Sequence, residues 1–157
     1  MSTPTTRSAP QDLGLLVTRI ALGGVMIAHG IQKAFLQGFA GTQQGFGSMG
    51  APLPGLTAVL VTLLELVGGV AVVLGLATRI VALLYALTMV GAAVLVHLPN
   101  GFYAADGGWE LVGLLAIVSV ALVVGGPGRL SLDHLVAQRR RARGTRSAHA
   151  EAGLAAA

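Results

Sequence analysis

Six ionisable side chains lie within or at the ends of apolar runs: Arg19, His29, Lys33, Glu65, His97 and Glu110. Glu65 stands at the middle of Leu56–Leu76, LTAVLVTLLELVGGVAVVLGL, a run with no other ionisable residue. At 1.5 Å per residue this run reaches roughly 30 Å, the depth of a hydrocarbon core. A carboxylate at that depth costs about 2.5–3.5 kcal/mol, so it must face protein, hold a proton or meet a cation. Arg19 is the nearest cation in depth. Counted from the ends that share a side, Arg19 lies about 9 Å in and Glu65 about 16 Å in. An arginine can bridge such an offset along its stem, so Arg19–Glu65 is the expected intramembrane ion pair. Its two readings are a register-fixing salt bridge and a proton or ligand site.

The other four form a second tier by the same count. His29, Lys33 and His97 lie roughly 24–30 Å in, where Glu110 also begins its run. Histidine and lysine offer N–H donors, and Phe35 or Trp109 could lend a ring face. That set suits a ligand with carbonyl oxygens beside an apolar channel, as a quinone headgroup is. Metal binding is the weaker reading beside interfacial hydrogen bonding or quinone contact, and no metal site is assigned. The histidines and Glu110 come from different runs without H-x-x-x-H or E-x-x-H spacing, and Lys33 is a poor neighbour for a cation. His29, Lys33, His97 and Glu110 are therefore the ligand-binding candidates.

The elements that must position these groups are long and apolar. Of 157 residues, 54% are hydrophobic and 10% charged, whereas soluble domains carry about 25% charged residues. The apolar residues come in blocks, which makes this an integral membrane protein embedded in the lipid bilayer. Four spans are expected, over about 13–31, 56–76, 80–98 and 110–126, within one domain at 13–136. Residues 1–12 read as a disordered tail, and residues 137–157 as a basic disordered tail. Gly23, Gly24 and Gly30, with Gly68 and Gly69, mark faces where helices can approach closely. The glycine- and phenylalanine-bearing stretch from Gln32 to Gly55 reads as a re-entrant or surface-lying loop over one mouth of the bundle, with or without a short interfacial helix. Pro99–Trp109 reads as an interfacial loop, and Arg129–Val136 as a short amphipathic piece.

With four spans both termini share a side. That side holds Arg7, Arg79, Arg129 and five arginines from Arg139 to Arg146, and the other side holds Lys33, Asp106 and Glu110. Positive-inside bias predicts cytoplasmic termini. The chain has no cysteine, which excludes thiolate chemistry and Cys-ligated metal centres. The arginines form a tail and not a basic stripe on an aromatic-bearing surface, so nucleic acid is not the expected partner. A tail of this kind suits anionic headgroups.

Taken in order, several pieces resemble the DoxX family of small bacterial four-span membrane proteins. They are His29-Gly30-x-x-Lys33, Met49-Gly50-Ala51-Pro52, Glu65-x-x-Gly68-Gly69, Gly75-Leu76-x-Thr78-Arg79, His97, Glu110 and Gly126-Pro127-Gly128-x-x-Ser131-x-Asp133. The resemblance covers roughly residues 13–135. It implies an all-α, four-helix transmembrane bundle in the bacterial inner membrane. Some relatives are small subunits of quinol oxidase or thiosulfate:quinone oxidoreductase systems, so it also implies a membrane component of a redox system. That component would bind a quinone or other lipophilic ligand, or anchor a redox protein partner. The chain carries no haem, flavin or iron–sulfur signature, so no intrinsic cofactor and no stand-alone enzyme activity are expected. Two other readings stay open: a small proton-coupled carrier using Glu65, which four spans would support best as a homo-oligomer, and a structural scaffold.

Overall fold

A computed structural model describes residues 8–140, and the fold is helical throughout. The first element, α1, spans Ala9–Ile31. It starts inside the stretch 1–12 that the sequence suggested as a disordered tail. Pro10 suits a first helical turn, Asp12 stabilises its N-terminus, and the Gln11 side chain accepts the Ser8 N–H at 3.0 Å. Residues 1–7 lie outside the described part.

α1 ends at Ile31, where the sequence placed the end of the first span, but the chain stays helical. It runs through a π-helical segment, Gln32–Gln37, into α2, Gly38–Ser48, and the helical run covers 40 residues. The expected loop over 32–55 is therefore helix as far as Ser48. Four glycines in α2 lower its intrinsic helix preference, but tertiary contacts decide the outcome. Gly38 takes φ +69°, which redirects the chain. α2 then packs on α3, Pro54–Leu63, with Gly47 against Pro54 and Gln43 against Gly55.

α3 continues through a second π-helical segment, Leu64–Gly68, into α4, Gly69–Leu74. α5 covers Thr78–Ala92 and passes through a third, Ala93–His97, into a 3-10 turn at Leu98–Asn100. α6 is Glu110–Gly125, and a final helix, α7, occupies 132–140. The basic tail expected from 137 thus begins as helix, and residues 141–157 lie outside the described part. Three helical runs are long and apolar enough to cross a membrane: Ala9–Ser48, Pro54–Leu74 and Thr78–Asn100. α6 is apolar but reaches only about 24 Å.

α1 packs lengthwise on α4 and also on α6, while α6 packs on α5. The core between them holds Leu22, Met26, Val72, Tyr85, Leu115 and Leu122. The bundle is narrow, and most large apolar side chains point outward, as a lipid-facing surface requires. α1 and α4 meet backbone to backbone at Gly23 and Gly69. A Cβ on Gly23 would stand 2.7 Å from the Gly69 carbonyl oxygen, and one on Gly69 2.9 Å from the Gly23 carbonyl oxygen. Gly30 faces Leu66 in the same seam. Gly24 does not belong to it, because nothing lies within 4 Å of the Cβ it would carry.

This difference makes neighbouring glycines respond oppositely. Gly23→Ala should separate α1 from α4 and lower stability by about 2 kcal/mol or more. Gly24→Ala should be neutral, or stabilising by up to about 1 kcal/mol, because it removes backbone freedom from an open helix position. Thermal unfolding of the two variants in detergent, side by side, checks this.

Candidate functional site

The middle of the bundle holds an ion pair. Lys33 Nζ donates to Glu65 Oε1 at 2.8 Å, and the Glu65 side chain is 5% exposed. The pair expected from depth alone, Arg19–Glu65, does not form. Helical side chains lean toward the N-terminus of their own helix. Arg19 therefore extends back along α1, away from Glu65, and its Nη2 donates to the Leu130 carbonyl oxygen. Lys33 leans back in the same direction. Its stem carries the ammonium from its own turn to the level of Gly30 and Leu66, where Glu65 waits.

Each partner sits on a π-helical segment, Lys33 on Gln32–Gln37 and Glu65 on Leu64–Gly68. Such segments leave carbonyls without their usual α-helical donors and are frequent at functional sites. Both segments are braced by a hydroxyl from another element. Thr42 Oγ1, on α2, donates to the Lys33 carbonyl oxygen at 3.0 Å. The Tyr85 hydroxyl, fully buried on α5, donates to the Leu64 carbonyl oxygen at 3.0 Å, with the Glu65 carbonyl oxygen at 3.4 Å. The folding-back of α2 and the placing of Tyr85 thus hold the two charges at hydrogen-bond distance.

The pair is not saturated. Glu65 Oε2 is buried and has no hydrogen-bond partner. Lys33 has three N–H donors and is 19% exposed in its side chain, so the site is reached from the Lys33 side. His29 lies one turn before Lys33 and is half-buried.

The predicted second tier is dispersed. Lys33 belongs to the Glu65 pair. His97 and Glu110 instead fasten the 98–109 loop, because the loop's own backbone groups lie closest to them. His97 Nδ1–H donates to the Gly107 carbonyl oxygen at 2.7 Å, and Glu110 Oε1 accepts the Ala104 N–H at 2.8 Å. Phe102 stacks edge-on with Tyr103 and Trp109, at ring-centroid distances of 5.4 and 5.1 Å, and completes this cap. Among the described residues no three His, Asp or Glu side chains stand together as a metal site. His97→Ala should therefore leave the Lys33–Glu65 site intact and loosen the cap. Limited proteolysis should cut the 98–109 loop faster, while ligand retention stays at the wild-type level.

A separate polar cluster closes the end that carries Asp12 and Arg129. Asp133 Oδ1 accepts the Ala77 N–H at 2.8 Å and its Oδ2 the Thr78 N–H at 3.0 Å. Asp133 N–H donates to the Gly75 carbonyl oxygen at 2.9 Å, and Asp12 Oδ1 accepts the Arg129 N–H at 2.8 Å. Arg19 is completely buried beneath this cluster, against Gly75. Tyr85 and Thr42 were not singled out from the sequence. A tyrosine within an apolar run is the signal that marks the first, since its hydroxyl must find a partner inside. Thr42 carries no such signal.

An all-helical bundle with three membrane-length apolar helices and a buried charge pair defines a helical membrane protein with an internal polar site. The chain belongs to the DoxX family, whose model matches residues 14–98. It is 42% identical over 125 residues to the Bacillus subtilis protein named "Putative oxidoreductase CatD", covering 80% of this chain and 88% of that one. It is also 35% identical over 130 residues to the Escherichia coli inner membrane protein YphA, covering 80% of this chain and 91% of the relative. The E. coli inner membrane protein YqjF is 36% identical over 128 residues, again covering 80% of this chain and 94% of the relative. No solved structure is a significant match.

Proposed function

We propose that this chain is the membrane component of a redox system and that it holds a quinone-type headgroup at Lys33 and Glu65. The observation that carries the reading is the unsatisfied Glu65 Oε2 beside an ammonium with N–H groups to spare. A buried carboxylate oxygen without a donor is costly, and a ligand hydroxyl would relieve that cost. Lys33 would donate to one ligand oxygen, and Glu65 Oε2 would accept the hydroxyl proton of the reduced form. The isoprenoid tail suits the apolar surface outside the pair. The name of the B. subtilis relative supports a redox setting. A quinone, when bound, supplies two-electron chemistry; this chain's residues would bind its headgroup, orient it and hold a proton at Glu65.

The same reading includes a fourth span, α6, and an inner-membrane orientation with the arginine-bearing end in the cytoplasm. The site is tested by purifying wild type and Glu65→Gln in mild detergent and quantifying co-purifying quinone by mass spectrometry. Quinone retained by the wild type and lost from the variant is the expected result. Equal retention in both overturns the site. Quinone absent from both overturns the ligand and favours proton-coupled carriage through Glu65, or partner anchoring.

A further inference from the structure

Residues 126–140 lie beyond the stretch matched by the family model, and none of them takes part in the Lys33–Glu65 pair. Residues 129–133 are fastened to the bundle by the bonds from Asp12, Arg19, Gly75, Ala77 and Thr78 described above. Helix α7 grows out of that clasp and inherits a fixed orientation. Its Asp133 and His134 are part-buried on the bundle side, whereas Leu132, Leu135 and Val136 are exposed. At 100° per residue those three and Arg139 fall within about 100° of the helix circumference. An apolar stripe thus faces away from the protein and ends in a guanidinium.

Charge at this end is one-sided. Arg79, Arg129, Arg139 and Arg140 are all exposed. The two acids at this end, Asp12 and Asp133, accept backbone N–H groups of residues 129, 77 and 78, and Asp12 Oδ2 also lies 3.9 Å from Arg129 Nε, whose side chain stays 65% exposed. The sequence adds Arg141, Arg143 and Arg146 directly beyond. An exposed apolar stripe ringed by exposed arginines, at the end of an apolar bundle, has the composition of a helix that lies in a membrane interface.

We infer that α7 is an interfacial helix whose partner is anionic phospholipid, with Leu132, Leu135 and Val136 in the acyl boundary and Arg129, Arg139 and Arg140 on the phosphates. The clasp gives this contact a purpose that a loose basic tail lacks. It holds the arginines at one depth and one azimuth, so lipid charge bears on the Gly75–Thr78 turn between α4 and α5.

The test uses the full chain with Trp109→Phe and Leu135→Trp, which leaves a single tryptophan on the exposed stripe. It is reconstituted in phosphatidylcholine vesicles containing equal low mole fractions of brominated phosphatidylglycerol or brominated phosphatidylcholine. Both brominated lipids should quench residue 135, the anionic one several-fold more strongly, since each engaged arginine is worth roughly fivefold in local lipid enrichment. Adding Arg129→Gln, Arg139→Gln and Arg140→Gln should weaken the preference and keep the quenching. Equal quenching by the two lipids in the parent overturns the anionic partner. Absent quenching overturns the interfacial helix, and aqueous iodide then reports whether the stripe faces water (iodide quenches) or is covered by protein (iodide does not).

Discussion

Glu65→Ala should purify without bound quinone and unfold more easily than the wild type, by about 3–5 kcal/mol. The stability loss follows from leaving the Lys33 ammonium part-buried with its partner removed. Lys33→Met should lose the ligand too, and its stability should fall by a similar amount because a buried carboxylate is then unpaired. The decisive variant is the double one. Lys33→Met with Glu65→Leu removes both charges and replaces them with apolar volume, an exchange that is often neutral or stabilising for buried ion pairs. It should recover most of the stability and none of the quinone. Thermal unfolding and mass-spectrometric quinone content, measured on all three variants, separate binding from folding. If the double variant recovered ligand together with stability, the pair would be a structural brace and the headgroup site would have to lie elsewhere.

Gly75→Val should be the most damaging single change at the opposite polar cluster, costing about 3 kcal/mol or more. Gly75 takes φ +72°, where a β-branched residue is strained by about 1–3 kcal/mol. Its added side chain would also collide with the Arg19 guanidinium and with Ser131. Displacing Arg19 breaks its charge-assisted bond to the Leu130 carbonyl oxygen, a contact of the class worth about 1.5–3 kcal/mol. Two residues on, Ala77 also has positive φ, at +48°, without glycine's freedom. Ala77→Gly should relieve that strain and stabilise the protein by up to about 1 kcal/mol. The opposite signs within one short turn can be read from thermal midpoints of the two variants and the wild type.

The apolar helices and most of the glycine seam were legible in the sequence, because an apolar run in a bilayer has few alternatives to helix. The close approach at Gly23, Gly30 and Gly69 followed from residue type and spacing. What was not legible came from information outside the local pattern. Gly38, Gly41, Gly45 and Gly47 make residues 38–48 look like a loop, yet packing on α3 and the Thr42 bond to Lys33 hold them helical. The identity of the ion pair turned on direction. Counting depth along backbones placed Arg19 nearest to Glu65, whereas the lean of helical side chains sends Arg19 away and brings Lys33 down. His97 and Glu110 were legible as polar groups at one end, but their use depends on how the 98–109 loop closes, which spacing does not encode.

The clasp also sets an order of assembly. Asp12 bonds to a residue 117 positions later in the chain, and Arg19 to one 111 positions later. Both therefore enter the bilayer region long before their partners have been synthesised. Until residues 129 and 130 emerge, a buried aspartate and a buried guanidinium have no counterpart from that segment, and the earlier helices stand as an open assembly. The last-made part of the domain is what completes the first-made part. A ribosome that stalls before Arg129, or a frameshift in the closing segment, would leave Asp12 and Arg19 without these partners even where the Lys33–Glu65 pair has formed. Such a bundle carries two buried polar groups that the complete domain bonds to its closing segment.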